Sequence, residues 1–166
     1  WYSFNPGNVL NGNLLISDMV ATRAGYKWII RPRGNGILVY DSGNSLSATD
    51  DDQYKVLNNE TGNGGLPTGD VFSLAEDLDD QIWVGTSRGI AVFYTPEAVF
   101  SGEDFDAQQI LIEQDGNVQI LLETESVNSI AVDGANRKWI GTQGSGAYLV
   151  SPDGRDEVLH FTAENS

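Results

Sequence analysis

The sequence predicts an all-β fold made of three copies of one four-stranded unit, and three observations carry that prediction. Trp28, Trp83 and Trp139 stand 55 and 56 residues apart. Each follows a segment of one pattern: Ser-Asp-Met-Val-Ala-Thr at 17–22, Phe-Ser-Leu-Ala-Glu-Asp at 72–77 and Asn-Ser-Ile-Ala-Val-Asp at 128–133. Each precedes a glycine that opens a second apolar run, at 36–40, 89–93 and 146–150. A fixed period of this kind marks a repeat architecture, in which one supersecondary unit is stacked on the next.

The second copy shows the elements most plainly. Residues 71–76 are apolar and strand-length, and 78–81 form an Asp-rich turn. Residues 82–85 make a second strand, 87–89 a return, and 90–94 a third strand. Fourth strands are less regular, at 54–57, at 108–112 or 118–122, and at 158–161. Helix signals are nearly absent; residues 96–100 suit one turn, with Thr95 as N-cap and Pro96 at the first position. With 19 glycines in 166 residues, the chain has ample turn chemistry.

Four short strands per ~40–50 residues is the pattern of a β-propeller blade. Blades pack face to face, so a large flat side chain recurs at one place on the second strand: Trp28, Trp83 and Trp139 are expected to be buried between blades. Gly85-Thr86 and Gly141-Thr142 follow the second and third Trp, the glycines letting the neighbouring backbone come close. The first copy departs, with Ile29-Ile30-Arg31. The expected blades span 14–57, 69–122 and 125–161, with 1–4 as the last strand of a preceding blade. Three consecutive blades are a sector of a larger ring, expected to hold six to eight. The start at Trp1, without initiator Met or signal peptide, is expected of a piece of a longer protein.

Charge and composition remove several functions. Nine Lys and Arg against 24 Asp and Glu leave a net charge of −15, whose field repels nucleic-acid phosphate. No stretch approaches the ~20 apolar residues of a membrane helix. Zero Cys removes disulfides and thiolate chemistry, and the lone His160 removes multi-His metal sites.

The runs Ser-Leu-Ala-Glu-Asp (73–77) and Ile-Trp-Val-Gly-Thr (82–86) with Gly89 resemble the two-component regulator propeller repeat. Residues 129–133 and 139–142 with Gly146 resemble it too. The resemblance implies a bacterial periplasmic or cell-surface propeller. Segment 131–146 and the irregular insertion at 96–108 look closer to the accessory propellers of type IX secretion than to glycan sensors. The function implied is non-catalytic binding of a glycan, a lipopolysaccharide or a protein partner in secretion. Two alternatives stand beside it: the ligand-sensing propeller of a hybrid two-component regulator, and a propeller lyase or hydrolase.

Candidate site residues are few. Arg31, Arg33 and Arg88 fall in turns between second and third strands, which in a propeller line one face near the central opening. Arg forks suit carboxylate, sulfate and phosphate, so these three, with Asn35 and Gln143, are the candidate contacts for an anionic ligand. No catalytic residue is assigned, because no acid–base pair stands out among so many carboxylates. No cofactor is expected. The clusters Asp50-Asp51-Asp52 and Asp77-Leu78-Asp79-Asp80 invite Ca²⁺, but neither has a binding-loop spacing and both suit turns. The glycine-rich runs 34–36 and 62–65 lack the Lys of a phosphate loop, and Asn59-Glu60-Thr61 fits the glycosylation pattern. The remaining expected partner is the rest of the parent propeller, or further copies of the chain.

Overall fold

The structure is a computed structural model and describes residues 16–31, 33–43, 45, 50–114 and 116–165. The strand expected at 1–4 and the start of the first blade at 14 lie outside the described residues. Three antiparallel four-stranded meanders follow one another. The first contains β1 (Met19–Ala21), β2 (Lys27–Ile30), β3 (Ile37–Asp41) and β4 (Gln53–Leu57). The second contains β5 (Val71–Glu76), β6 (Ile82–Thr86), β7 (Gly89–Phe93) and β8 (Gln108–Gln109). A separate two-stranded hairpin, β9 (Leu111–Gln114) and β10 (Asn117–Ile120), precedes the third meander. That meander comprises β11 (Val127–Val132), β12 (Lys138–Thr142), β13 (Ala147–Val150) and β14 (Glu157–Phe161). The chain is therefore all-β, three propeller blades in sequence.

The repeat extends to its irregularities. β5 slips register against β6 between Val71 and Ser73, and β11 slips against β12 between Val127 and Ser129. Three first-to-second-strand turns close in one way. Thr22, Asp77 and Asp133 donate their N–H to the carbonyls of Tyr26, Gln81 and Arg137 at 2.8, 2.9 and 3.0 Å. Their side-chain oxygens accept the N–H of those same three residues at 3.1, 3.0 and 3.0 Å. An Asp or Thr in this position satisfies the turn locally, which is why it recurs.

Two cores hold the blades together. Trp28, Ile30 and Val39 of the first blade meet Leu74, Val84 and Phe93 of the second. Trp83, Ile90 and Val92 of the second meet Ile140 and Val150 of the third. Each Trp thus points toward the following blade. Trp28 lies against Phe93, with ring centroids 4.9 Å apart. Every residue of β6 and β7 is buried, because the middle blade is covered on both faces. Gly85 serves the expected close approach: a Cβ there would fall 2.7 Å from the carbonyl oxygen of Val127 in the next blade. At both glycines the added Cβ would also strike its own sheet, 2.3 Å from Ser73 Oγ at Gly85 and 2.3 Å from Ser129 Oγ at Gly141, where no atom of a neighbouring blade lies as near among the described residues. The Thr86 and Thr142 hydroxyls donate to the carbonyls of Gly89 and Gly146, tying each second-to-third-strand turn.

Two local expectations are corrected. Trp139 is 39% exposed rather than buried between blades, because its face of the third blade has no following blade among the described residues. It stacks instead on Phe161 of its own sheet at 5.8 Å. Residues 96–100 form a 3₁₀ turn, but Thr95 makes no side-chain cap and its hydroxyl turns to the carbonyl of Asp104. The hairpin β9–β10 was not foreseen as a unit of its own; Gln108–Gln109 supplies the fourth strand of the second blade.

Candidate functional site

The second-to-third-strand turns and the links between blades form one continuous row. The turn at 31–36 is bonded to the first link through Gly36 N–H and the carbonyl of Gly69, at 3.1 Å. The turn at 87–88 is bonded to the same link through Ser87 N–H and the carbonyl of Asp70, at 3.0 Å. Gly89 and Gln143 then donate to the carbonyls of Glu125 and Ser126 in the second link, both at 2.9 Å. Arg31, Arg33, Asn35, Arg88 and Gln143 are thereby carried along one end of the three blades.

The five residues differ in what their side chains are doing. Arg31 is half-buried and gives Nη1 to the carbonyl of Asn35 at 3.0 Å, bracing its own turn. Arg33 is exposed at the tip with φ of 63°, a left-handed conformation uncommon for a non-glycine residue. Arg88 is exposed, its backbone held by Thr86 Oγ1 and by the Gln109 amide. Gln143 is exposed. Arg23, Arg137 and Arg155 each pair with a carboxylate, at 2.7, 2.8 and 3.8 Å. Among the described residues, the guanidiniums of Arg31, Arg33 and Arg88 make no such pair. The row is mixed in charge, since Asp70 lies in the link between the two arginine turns and Glu125 in the link between the turns of Arg88 and Gln143.

The Asp-rich segments are engaged structurally. Asp77 Oδ1 accepts the N–H groups of Asp79 and Gln81, and Oδ2 accepts the Trp83 indole N–H at 3.0 Å. The same Oδ2 lies 2.9 Å from Lys138 Nζ of the next blade, with both side chains fully buried. Burial alone would push the Asp77 carboxyl up, but Lys138, the Gln81 N–H and the indole together hold it below the usual carboxylate range. Asp52 accepts the Tyr40 hydroxyl at 3.0 Å. Burial, then the Asp52 hydrogen bond and charge, push the Tyr40 phenol up to about 12. The glycine-rich run at 62–65 is anchored by Asp106, which accepts the N–H groups of Gly62 and Gly64 at 2.6 and 2.9 Å.

A further feature was not read from the sequence. Between the hairpin β9–β10, the second link and strands β13 and β14 lies a half-open cleft of about 500 Å³. Tyr148 and His160 stand in its wall, their rings stacked 3.9 Å apart and 12° from parallel. The Asp115-Gly116 dipeptide between two strand-length runs was the available signal for the hairpin that forms its other side.

With this geometry in hand, comparison with known proteins is informative. Residues 65–88 match the two component regulator propeller family, within the copy whose residues carried the resemblance most fully. No curated protein matches the chain. Among solved structures it is similar to PorZ, an essential bacterial surface component of the type-IX secretion system of Porphyromonas gingivalis. The identity is 26% and the TM-score 0.77, over 93% of this chain and 22% of that one. It is also similar to the extracellular domain assigned to a hybrid two component system of B. thetaiotaomicron, at 22% identity and TM-score 0.64, over 93% and 17% of the two chains. A domain assigned to a one component system of the same organism follows at 15% and 0.63, over 96% and 21%. The chain thus spans between 17% and 22% of the length of these structures.

Proposed function

We propose that these three blades are a non-catalytic binding portion of a bacterial propeller displayed at the cell surface or in the periplasm. On this reading they recognise an anionic glycan, a lipopolysaccharide or a protein partner in secretion through the row of turns at one end. The observation that carries the reading is the set of three guanidiniums in adjacent turns, on Arg31, Arg33 and Arg88, that pair with no carboxylate among the described residues. A forked cation without a carboxylate partner, held on a braced turn, suits a planar anion better than it suits stability. The fuller similarity to PorZ than to the sensor domains favours the secretion-associated kind of propeller. The remainder of the parent ring is the expected partner of the blade faces.

Titration with sulfated and uronate-rich oligosaccharides tests it. Binding at low salt should weaken as salt screens the contact. The Arg31→Ala, Arg33→Ala, Arg88→Ala triple variant should lose most of it. Equal binding by the triple variant removes the arginine turns from the reading.

A further inference from the structure

The cleft beside the hairpin has a chemistry opposite to that of the arginine turns. Its floor is aliphatic, with Ile112, Leu121, Leu122 and Val150 among its lining. Its rim carries Glu113, Glu123, Glu125 and Glu157 against the single cation of Arg155. An anionic ligand is repelled by that rim. A neutral sugar would want an open aromatic face, but the Tyr148 ring is covered by His160 at 3.9 Å. His160 is itself fixed, its Nε2 2.6 Å from the Ser145 carbonyl oxygen, and Ser145 Oγ donates to Glu125 at 2.7 Å. The wall is therefore prebuilt, and one carboxylate of the rim is held in place by it.

An aliphatic floor beneath a carboxylate rim fits a long apolar stem that ends in a cation. The cleft follows β13 from Tyr148 to Val150, about 7 Å of strand at ~3.3 Å per residue, so it also accommodates the backbone on either side of that stem. We propose that this cleft binds a lysine or arginine side chain presented by an extended segment of a protein partner. Every lining residue belongs to the hairpin, the second link or the third blade, so the site is complete without any blade beyond those described. The site meets the row of turns at Glu125 but uses none of its arginines, and it does not rest on the function proposed for them.

The test uses fluorescence polarisation on the intact propeller that carries these blades. The probe is a short labelled peptide with one lysine in an alanine–glycine background. At low salt it should bind at least tenfold more tightly than the same peptide with norleucine or acetyl-lysine. Glu125→Gln with Glu157→Gln should weaken it about tenfold, and Glu113→Gln, on an exposed hairpin strand, should weaken it about threefold without disturbing the blade. Glu103→Gln with Asp104→Asn, outside the cleft, should leave it unchanged, as should the triple arginine variant. Equal losses from both carboxylate pairs would mean bulk attraction to a chain of net charge −15, and overturn the site. Tight norleucine binding, or preference for polygalacturonate, would overturn its ligand class. Displacement by putrescine at lower concentration than by unlabelled peptide would overturn the polypeptide as the source of the cation.

Discussion

Lys138 of the third blade lies 2.9 Å from the carboxylate of Asp77 in the second, with both side chains fully buried, and its ammonium sits 4.4 Å over the ring of Trp83. It also donates to the carbonyl of Pro152. One position of the repeat explains the arrangement. Lys138 occupies in the third blade the place that Ile82 occupies in the second, immediately before the Trp. At the first interface the same places hold Thr22, Trp28 and Ile82, and the Trp28 indole nitrogen is buried without a hydrogen-bond partner among the described residues. The same inter-blade contact is therefore built once without charge and once as an ion pair.

Removing one partner of the buried pair leaves the other charge uncompensated. Lys138→Met should therefore destabilise the protein by about 3–5 kcal/mol. Asp77→Asn combined with Lys138→Met removes both charges and should recover at least half of that loss. Urea unfolding of wild type and the two variants measures it. A double variant as unstable as Lys138→Met would show that shape, not charge pairing, dominates this contact.

The same pair fixes a sign for the acid limb of stability. The Asp77 carboxyl has a lower pKa folded than its ordinary value, so it adds stability above the unfolded value near 3.9 and loses it as pH falls through the folded one. Stability should fall from about pH 4 downward. The Asp77→Asn, Lys138→Met variant should show a shallower fall over that range. Part of the fall will persist, because the Asp133 and Asp153 carboxyls are also lowered, chiefly by hydrogen bonds from Arg137 and Ser151. Parallel pH profiles for wild type and variant would refute the assignment to Asp77.

Trp83 and Trp139 should respond differently to truncation. Trp83 is fully buried, and a Cβ on Gly154 would come within 2.8 Å of its ring. Trp83→Ala should cost roughly 3–5 kcal/mol. Trp139 is 39% exposed and should cost less than half as much when the chain is produced by itself. Thermal or urea unfolding decides it, and equal losses would mean that the Trp139 face is covered.

Most of the repeat was legible because its residues solve local problems. Gly36, Gly89 and Gly146 open the third strands with φ of 72°, 76° and 80°. A Cβ at each would meet a carbonyl oxygen at 2.0, 2.7 and 2.0 Å. Such a position admits little but glycine, and so it marks every copy. The Trp and the turn Asp are visible for similar reasons. What pairs across blades was not legible. Nothing near Asp77 in sequence announces Lys138, since the ion pair depends on how two sheets face each other. The exposure of Trp139 was misjudged because the repeat implies a following blade that the described residues do not include. The arginine turns were found from their place in the blade, whereas the cleft needed the hairpin β9–β10 to be recognised first. Both expected alternatives for a fourth strand, 108–112 and 118–122, cut across that hairpin.

The ionic contact should be transferable. Thr22→Asp supplies an acceptor for the Trp28 indole, but alone it buries a carboxylate against Ile82. Ile82→Lys alone buries an ammonium against apolar neighbours. Each single variant should lose several kcal/mol, as unpaired buried charges do. Together they should recover at least ~1 kcal/mol relative to the sum of the two. A double-mutant cycle by urea unfolding gives the coupling, and strict additivity would mean that the two side chains do not meet.

The last prediction concerns the face of the third blade that no other blade covers among the described residues. Trp139, Leu149 and Leu159 are directly opposed across β12, β13 and β14, so they stand on one face of the sheet. Trp139 is 39% and Leu159 is 48% exposed, with Leu149 buried between them, while Trp83, which corresponds to Trp139 in the middle blade, is fully buried against the third. An apolar patch of this kind on a soluble protein is normally covered. The cover that fits is another blade, either from the rest of the parent propeller or from a second copy of the chain. The net charge of −15 resists self-association, and salt screens that repulsion while leaving the apolar contact intact. The isolated chain should therefore associate in a concentration-dependent way, more strongly at high salt than at low. Leu159→Glu with Trp139→Lys should hold it monomeric under both conditions. Light scattering across a salt series measures this. A monomer at every salt concentration, with a sharp thermal transition, would show that three blades suffice without a cover.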